Sequence, residues 1–176
     1  MNAQGSDPDP PILQTARMTF RPFTADDFGL LAELHRDPEV GRYMGGVWDD
    51  AKIAAVLDDF VSEHARRGHS KWCVHTREGV FVGRAGLSLW RATDEFELGY
   101  AFRPEFWGQG LATEAARAVA AWAFANTEAP YLIAFTEPQN YGSQRVLERI
   151  GMVRQADRDM GFATPSAFFR MERPAR

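Results

Sequence analysis

The stretch PEFWGQGLAT, from Pro104 to Thr113, decides the fold because it joins a strand-like segment to the start of an alanine-rich helix. Backbone N–H groups at a helix start have no partners within the helix and lie at the positive end of its dipole. The small residues Gly108, Gly110 and Ala112 leave these groups open to a ligand. The turn therefore predicts an anion site, and a pyrophosphate is its natural ligand.

Taken alone, the same turn also fits a connector that binds nothing. It is not a P-loop, because no Gly-Lys-Ser/Thr follows, and it lacks the three-glycine spacing of the dinucleotide-binding fingerprint. Coenzyme A is therefore favoured over a nucleoside triphosphate or NAD as the ligand that brings the pyrophosphate.

Outward from this turn, the pattern alternates between strands and helices. A helix is predicted after Thr24, a second from Asp49 or Asp50 to about Gly68, and others over 111–126 and 141–150. Strands are predicted at 18–21, 72–76, 80–87, 96–102, 131–136, 152–157 and 167–172. The strand at 131–136 follows a long helix, which favours a parallel strand–helix–strand crossover.

Composition restricts the class of protein. The 176 residues carry a net charge of −4, which argues against a nucleic-acid partner. No apolar run approaches the roughly 20 residues of a membrane helix, and the N-terminus lacks the pattern of a signal peptide. We expect a cytoplasmic protein with no membrane partner, a flexible tail over residues 1–14 and a single domain over 15–176.

The cysteine and histidines indicate neither a disulfide nor a metal site. Cys73 is alone and lies in a strand-like segment, so a buried structural thiol is a better interpretation than a nucleophile. The four histidines are scattered without ligand spacing, and we expect no metal.

Five motifs, in order along the chain, support a specific resemblance. The turn itself, Phe106 to Ala115, resembles the acetyl-CoA signature of the GNAT superfamily of N-acetyltransferases, and its ribosomal-protein N-acetyltransferase-like (RimJ/RimL-type) branch in particular. The other four motifs are TFRPF with Asp26 at 19–26, DPEV with Tyr43-Met44 at 37–44, ELGY at 97–100, and Asn140 to Met152. Together they cover about residues 16 to 173.

The resemblance implies an α/β (α+β) GNAT fold, with a mixed, strongly twisted sheet of about six to seven strands and helices on both faces. Its central parallel strands splay apart, and acetyl-CoA, the co-substrate, lies in the splay. The implied cofactor-binding residues are Tyr100, Ala101, Phe102, Trp107, Gly108, Gln109, Gly110, Leu111, Ala112, Thr113, Asn140 and Ser143. Backbone amides and Thr113, rather than a charged side chain, are expected to hold the pyrophosphate.

Catalysis on an amine needs a base, because an amine attacks a thioester only when unprotonated. Deprotonation at pH 7 costs about 4.6 kcal/mol for a lysine-like amine and about 1 kcal/mol for an α-amine. Glu97, on the strand before the turn, is the catalytic base that the resemblance implies, working through a water. An ordinary exposed strand carboxylate is the alternative interpretation.

Departure of the coenzyme A thiolate depends less on a general acid than attack by the amine depends on a base. Many superfamily members place a tyrosine acid seven residues after the helix-capping asparagine, but this chain has Leu147 there. Ser143 is the nearest substitute, either as acid or as a cofactor contact, and Tyr141 is a weaker one. The expected reaction is direct attack in a ternary complex.

The acceptor stays open: a protein N-terminal α-amine and a small-molecule amine both fit. Residues 36–48, 90–94 and 161–166 are expected to shape its site, with aromatic walls or core packing from Tyr43, Met44, Trp48, Trp90 and Phe162. The resemblance also allows a homodimer. Leu147 motivates one alternative function, a non-catalytic acetyl-CoA sensor or scaffold with the same fold.

Overall fold

The computed structural model describes residues 10–175. Most of the predicted tail, residues 1–9, lies outside the described residues. The remainder of that segment includes a short strand, β1 (Leu13–Gln14), which pairs antiparallel with β2 (Met18–Arg21).

The elements alternate much as the sequence pattern predicts. After β2 come α1 (Phe28–His35), α2 (Pro38–Gly41), α3 (Asp50–Arg67), β3 (Lys71–Thr76), β4 (Phe81–Trp90) and β5 (Glu95–Phe102). The second half holds α4 (Leu111–Asn126), β6 (Tyr131–Thr136), α5 (Tyr141–Arg149), β7 (Val153–Arg154) and β8 (Ala167–Glu172). Asp49 caps α3 and Asn140 caps α5 through side-chain hydrogen bonds to backbone N–H groups, as Asp and Asn commonly do at helix starts.

One mixed sheet runs through the described residues in the order β1-β2-β3-β4-β5-β6-β8-β7. The mixed α/β fold is confirmed, but the sheet has eight strands where six to seven were expected. The additional strand is β1, which has two residues and is too short to leave a periodic pattern in the sequence. The strand predicted at 152–157 is present but shorter, as the two-residue β7.

The parallel strands β5 and β6 lie side by side in the middle of the sheet, and α4 connects them along the chain. The ladder between them includes a single register pair, Glu97 with Ile133, whereas β4 and β5 pair at eight successive positions. The carboxyl-terminal half of β5 is therefore free of β6, and this separation gives the sheet an opening at its centre.

Helices cover both faces of the sheet. On one face α4 packs its alanines against β4 and β5 over a core that includes Trp72, Leu98 and Phe169. On the other face α1 and α3 cover a second core around Leu31 and Ile53. Because side chains alternate along a strand, β5 sends Leu98 and Tyr100 toward α4, and Glu97 and Ala101 toward α3.

Candidate active site

A cleft of about 420 Å³, here called the α4–α5 cleft, opens where β5 leaves β6. It is bounded by the end of β5 and the starts of α4 and α5. All but one of the predicted cofactor-binding residues line it: Tyr100, Ala101, Phe102, Trp107, Gly108, Gly110, Leu111, Ala112, Thr113, Asn140 and Ser143. Residues from three separate segments thus meet around one space.

The start of α4 is exposed to this cleft. Its N-cap, Gly110, has φ 78°, and no side chain of the described residues caps the helix. This contrasts with α3 and α5, whose first N–H groups bond to side chains. Gly108 also has a positive φ of 72°, which side chains with a Cβ disfavour. The two glycines let the chain turn sharply and leave the positive end of α4 open to an anion.

Gln109 is the predicted cofactor residue that does not line the cleft. Its side-chain amide donates to the carbonyl oxygen of Glu105, at 2.7 Å, and its own carbonyl accepts from Arg17, at 2.8 Å. Arg17 also binds Glu114 of α4, with Nε 2.6 Å from Oε2. Arg17, the residue before β2, therefore links the outside of the turn at Gln109 to α4.

Two arginines of α5 line the same cleft, which the sequence argument did not anticipate. Arg145 and Arg149 stand one helical turn apart on an exposed face, and both contribute to the wall. In the sequence, their i, i+4 spacing on the predicted helix at 141–150 indicates that the two arginines share one helix face. The cleft therefore offers charged side chains beside the backbone of α4.

A hydroxyl pair joins β5 to α5 across the cleft. The hydroxyl oxygen of Tyr100 lies 2.9 Å from Oγ of Ser143 and 3.2 Å from its carbonyl oxygen. Burial raises the pKa of Tyr100 above its ordinary value, so this phenol keeps its proton. Leu147, where a tyrosine acid is frequent in the superfamily, is buried in the core. The tyrosine that reaches Ser143 in this chain comes from the strand instead of the helix.

On the other face of β5 lies a second space of about 470 Å³, here called the α3 cavity. It lies between α3, the end of β4 and the start of β5. Its lining consists of Asp59, Phe60, Glu63, Ser70, Ser88, Leu89, Trp90, Arg91, Ala92 and Glu97. Glu97, the predicted base, thus faces this cavity, while the predicted cofactor residues face the α4–α5 cleft.

Glu97 has a partner that the sequence did not reveal. Lys71 of β3 forms an ion pair with its Oε2 and donates to its backbone carbonyl at 3.2 Å. The side chains of Lys71 and Glu97 are 5% and 13% exposed, so this is a buried pair. Burial lowers the pKa of Lys71, and the Glu97 carboxylate opposes that shift. Among the described residues Oε1 accepts no hydrogen bond, so this oxygen remains available.

Gly99 makes room for this pair. A Cβ at Gly99 would lie 2.5 Å from Oε1 of Glu97 and 2.8 Å from Cε of Lys71. Gly86, its cross-strand partner on β4, has equally little space, because a Cβ there would lie 2.1 Å from the carbonyl oxygen of Ser70. The glycines of two adjacent strands thus form a notch through which Lys71 reaches Glu97.

The residues expected to shape an acceptor site divide between the two spaces and the core. Tyr43 and Met44 line the α4–α5 cleft, and Trp90 lines the α3 cavity. Trp48 is buried and stacks on His35 at a centroid distance of 3.7 Å, so it belongs to the core. Phe162 is exposed and lies 6.3 Å from Trp90, ring centre to ring centre.

Cys73 is buried in the core under α1 and α3 and lines neither space. Burial raises the pKa of its thiol to about 12, which leaves little thiolate at neutral pH. Within residues 10–175, no group of three His, Cys, Asp or Glu residues is placed to hold a metal ion. The helices of that same range include none that is long and apolar enough to cross a membrane.

Comparison with known proteins gives a consistent result. The family model of the acetyltransferase (GNAT) domain matches residues 17–153. A curated relative, the uncharacterized N-acetyltransferase YnaD of Bacillus subtilis, is 28% identical over 81% of this chain and 83% of its own length.

Solved structures agree. An acetyltransferase from Agrobacterium tumefaciens is 27% identical, with a TM-score of 0.78 over 98% of both chains. An aminoglycoside acetyltransferase in complex with coenzyme A shares the fold, with a TM-score of 0.76 at 18% identity over 89% of this chain and 95% of its own. The chain therefore belongs to the GNAT acetyltransferase family and is an acyltransferase.

Proposed function

We propose that this protein transfers the acetyl group of acetyl-CoA to a primary amine by direct attack in a ternary complex. The observation that carries the proposal is the division of the predicted site by β5. The expected cofactor contacts line the α4–α5 cleft, and the expected base faces the α3 cavity. Strands β5 and β6 separate from each other beyond Glu97, which leaves an opening in the sheet. The donor and the acceptor thus have separate spaces that approach each other at the opening.

Acetyl-CoA would bind in the α4–α5 cleft. The uncapped start of α4 would receive the pyrophosphate on backbone N–H groups, and Arg145 and Arg149 would add positive charge for the phosphates. The end of β5, from Tyr100 to Phe102, pairs with β4 but not with β6, and its free edge would offer backbone groups to the amides of the pantetheine arm.

The reaction would form a C–N bond and break a C–S bond. The amine nitrogen attacks the thioester carbonyl carbon, and its proton passes to Oε1 of Glu97, directly or through a water. Lys71 holds the other carboxylate oxygen, so the free oxygen has a fixed position. The base therefore acts from a preorganised ion pair and not from a mobile exposed carboxylate.

The thiolate would leave toward the hydroxyl pair. Ser143 would donate its proton to the sulfur, and the Tyr100 hydroxyl, 2.9 Å from Oγ, would replace it. Solvent water would then return a proton to Tyr100, and Glu97 would release the amine proton to solvent. The raised pKa of Tyr100 keeps the phenol protonated beside Ser143, and the thiol pKa of about 8.5 means that the thiolate departs with little help from an acid. Cys73 has no part in this scheme, because it is buried away from both spaces.

The cellular compartment is inferred from the single cysteine, and the branch of the family is inferred from the sequence resemblance. We place the protein in the cytoplasm, since Cys73 has no second cysteine to pair with. We also assign it to the ribosomal-protein acetyltransferase-like branch on its FWGQGLATEA phrase. The alternative function, an acetyl-CoA sensor, is less favoured because the hydroxyl pair and the Lys71–Glu97 pair supply both an acid and a base.

The test is the release of coenzyme A thiol from acetyl-CoA in the presence of an amine panel, with wild type and Glu97→Gln. Glutamine keeps an oxygen for Lys71 but cannot take a proton, so kcat/KM should fall by about 10²- to 10⁴-fold. Glu95→Gln is the matched control, since Glu95 lies on the same strand and face but binds Arg158 at 2.9 Å. Its kcat/KM should stay within about twofold of wild type.

Calorimetry with acetyl-CoA completes the test. Both variants should bind it as wild type does, because neither side chain lines the α4–α5 cleft. Tight acetyl-CoA binding without thiol release on any amine would favour the sensor. Full activity in Glu97→Gln would remove Glu97 from the mechanism.

A further inference from the structure

We infer that the α3 cavity binds the acceptor, and that this acceptor is a monoamine with a compact apolar body, its amine placed between Ser70 and Glu97. This inference rests on the proposed function and adds to it the class of substrate. It is drawn from the walls of the cavity, from its charges and from one buried hydroxyl.

The hydroxyl of Ser70 is the first observation. Ser70 lines the α3 cavity and is 1% exposed, and its Oγ has no hydrogen-bond partner among residues 10–175. A buried hydroxyl without a partner destabilises a folded protein, and such groups are rare. A ligand N–H group at this wall would satisfy it. Glu97, on the same lining, would accept a second hydrogen of the same amine.

The walls of the cavity are mostly apolar. Phe60, Leu89, Trp90 and Ala92 are its apolar residues, and Trp90 is held by an edge contact to Phe135 at a centroid distance of 4.8 Å. The volume of about 470 Å³ is that of a small-molecule site. A fixed aromatic wall of this kind suits an apolar or aromatic body.

The charges of the cavity argue against an acceptor with several ammonium groups. Each of its carboxylates is already ion-paired: Asp59 with Arg91 at 2.8 Å, Glu97 with Lys71, and Glu63 with Arg66 and with Arg67 at 2.8 Å. A polyamine or an aminoglycoside would bring further ammonium groups that find no unpaired carboxylate in the lining. A single amine needs only the free Oε1 of Glu97 and the Ser70 hydroxyl.

The same walls disfavour a peptide N-terminus. A bound peptide carries backbone N–H and C=O groups that must find partners when they are buried. Beyond its ion-paired residues, the lining offers only three polar side-chain groups, the hydroxyls of Ser70 and Ser88 and the indole N–H of Trp90, which are too few for a peptide backbone. A monoamine has no backbone N–H or C=O groups, so it can be buried against the apolar walls without losing hydrogen bonds to water at such groups.

The experiment compares 2-phenylethylamine with spermidine, kanamycin and a peptide that begins with serine, each tested with the full-length protein and acetyl-CoA. We expect kcat/KM for 2-phenylethylamine to exceed that of the other three at least tenfold. Ser70→Ala should raise KM for 2-phenylethylamine about three- to tenfold, through loss of one hydrogen bond. Ser62→Ala, on α3 and outside the lining, is the matched control and should leave KM unchanged.

Thermal unfolding separates this role of Ser70 from a structural one. Removing a buried hydroxyl without a partner should leave the melting temperature of Ser70→Ala equal to or above that of wild type. A lower melting temperature with an unchanged KM would make Ser70 structural and overturn its assignment to the amine.

The remaining outcomes distinguish this inference from the proposed function. Preferential acetylation of spermidine, kanamycin or the peptide would overturn the substrate class and leave the enzyme activity standing. Thiol release with none of the four amines would count against the activity, and calorimetric titration of 2-phenylethylamine would then decide the site. Binding that weakens in Ser70→Ala would retain the α3 cavity as an amine site, and absence of binding would overturn it.

Discussion

The α4–α5 cleft and the α3 cavity lie on opposite sides of β5, yet they are built in different ways. The cleft combines the end of β5 and the start of α5 with one continuous segment, Trp107 to Thr113, whose glycines leave the backbone open to a ligand. The cavity is formed by side chains from α3, β4 and β5 and from the turn before β3. Glu97 in its lining pairs with Lys71, a residue 26 positions away in the sequence, across a notch of two glycines.

This difference predicts that the two regions respond to different kinds of substitution. A pyrophosphate is recognised by backbone geometry, which tolerates many side chains around it. An acceptor is recognised by side chains, and a single substitution can remove any one of these contacts. We therefore expect the cleft to respond to changes in backbone conformation and the cavity to respond to changes in charge.

The largest stability effect should come from breaking the buried pair. Lys71→Met keeps the length of the side chain but leaves the Glu97 carboxylate buried without its cation. We expect a loss of about 3–5 kcal/mol in the free energy of unfolding, measured by urea titration. Arg149→Met, at the exposed rim of the cleft, should cost no more than about 0.5 kcal/mol.

A double variant tests whether the pair itself is responsible. Adding Glu97→Met to Lys71→Met should restore most of the lost stability, because a buried ion pair can be replaced by apolar side chains at little cost. If Lys71→Met is no less stable than Arg149→Met, the cavity does not depend on the pair and the contrast between the two regions fails.

The next largest expected effect is on the affinity of the α4–α5 cleft for acetyl-CoA. Gly110→Glu places a Cβ at a residue with φ 78° and a negative charge at the open start of α4. The dissociation constant of acetyl-CoA should rise at least about tenfold, since the carboxylate competes with the pyrophosphate for the same N–H groups. Isothermal titration calorimetry measures this directly.

Gly161→Glu is the matched control for that change. Gly161 also has a positive φ, 83°, is exposed, and lies outside the cleft lining, so the substitution brings the same strain and charge. Acetyl-CoA affinity should remain that of wild type. Equal weakening by the two variants would show that strain or net charge, rather than the start of α4, accounts for the loss.

The sequence predicted the two regions unequally, for a physical reason. The turn at 104–113, the helix it opens and the Asn140 cap leave local signals, and the structure has α4 and β6 at the predicted bounds. Lys71 and Ser70 gave no signal, because their roles depend on partners brought near by β-sheet register. Tyr100 was predicted as a backbone contact, and only the approach of α5 revealed its hydroxyl bond to Ser143.

The smallest effect concerns pH and again separates the two sides of β5. His35 of α1 is 1% exposed and its Nε2 accepts a hydrogen bond from Arg84, at 3.0 Å, whose guanidinium lies over Phe60 of the α3 cavity. Burial and the nearby charges of Arg84 and Lys52 lower the pKa of His35 to about 2. The imidazole therefore stays neutral in the folded protein across the ordinary pH range.

In the unfolded chain the same histidine takes up a proton near pH 6.5. Between about pH 6.5 and 2 the unfolded state thus binds one more proton, so stability falls as the pH falls, by about 1.4 kcal/mol per pH unit from this residue. His35→Gln keeps an oxygen that can accept from Arg84 and removes the titration. Between pH 7.5 and 5.5, wild type should therefore lose about 1.4 kcal/mol more than His35→Gln in urea unfolding. Equal losses would mean that His35 has the same pKa in the folded and unfolded states, and the Arg84 contact beside the cavity could not then be the one described.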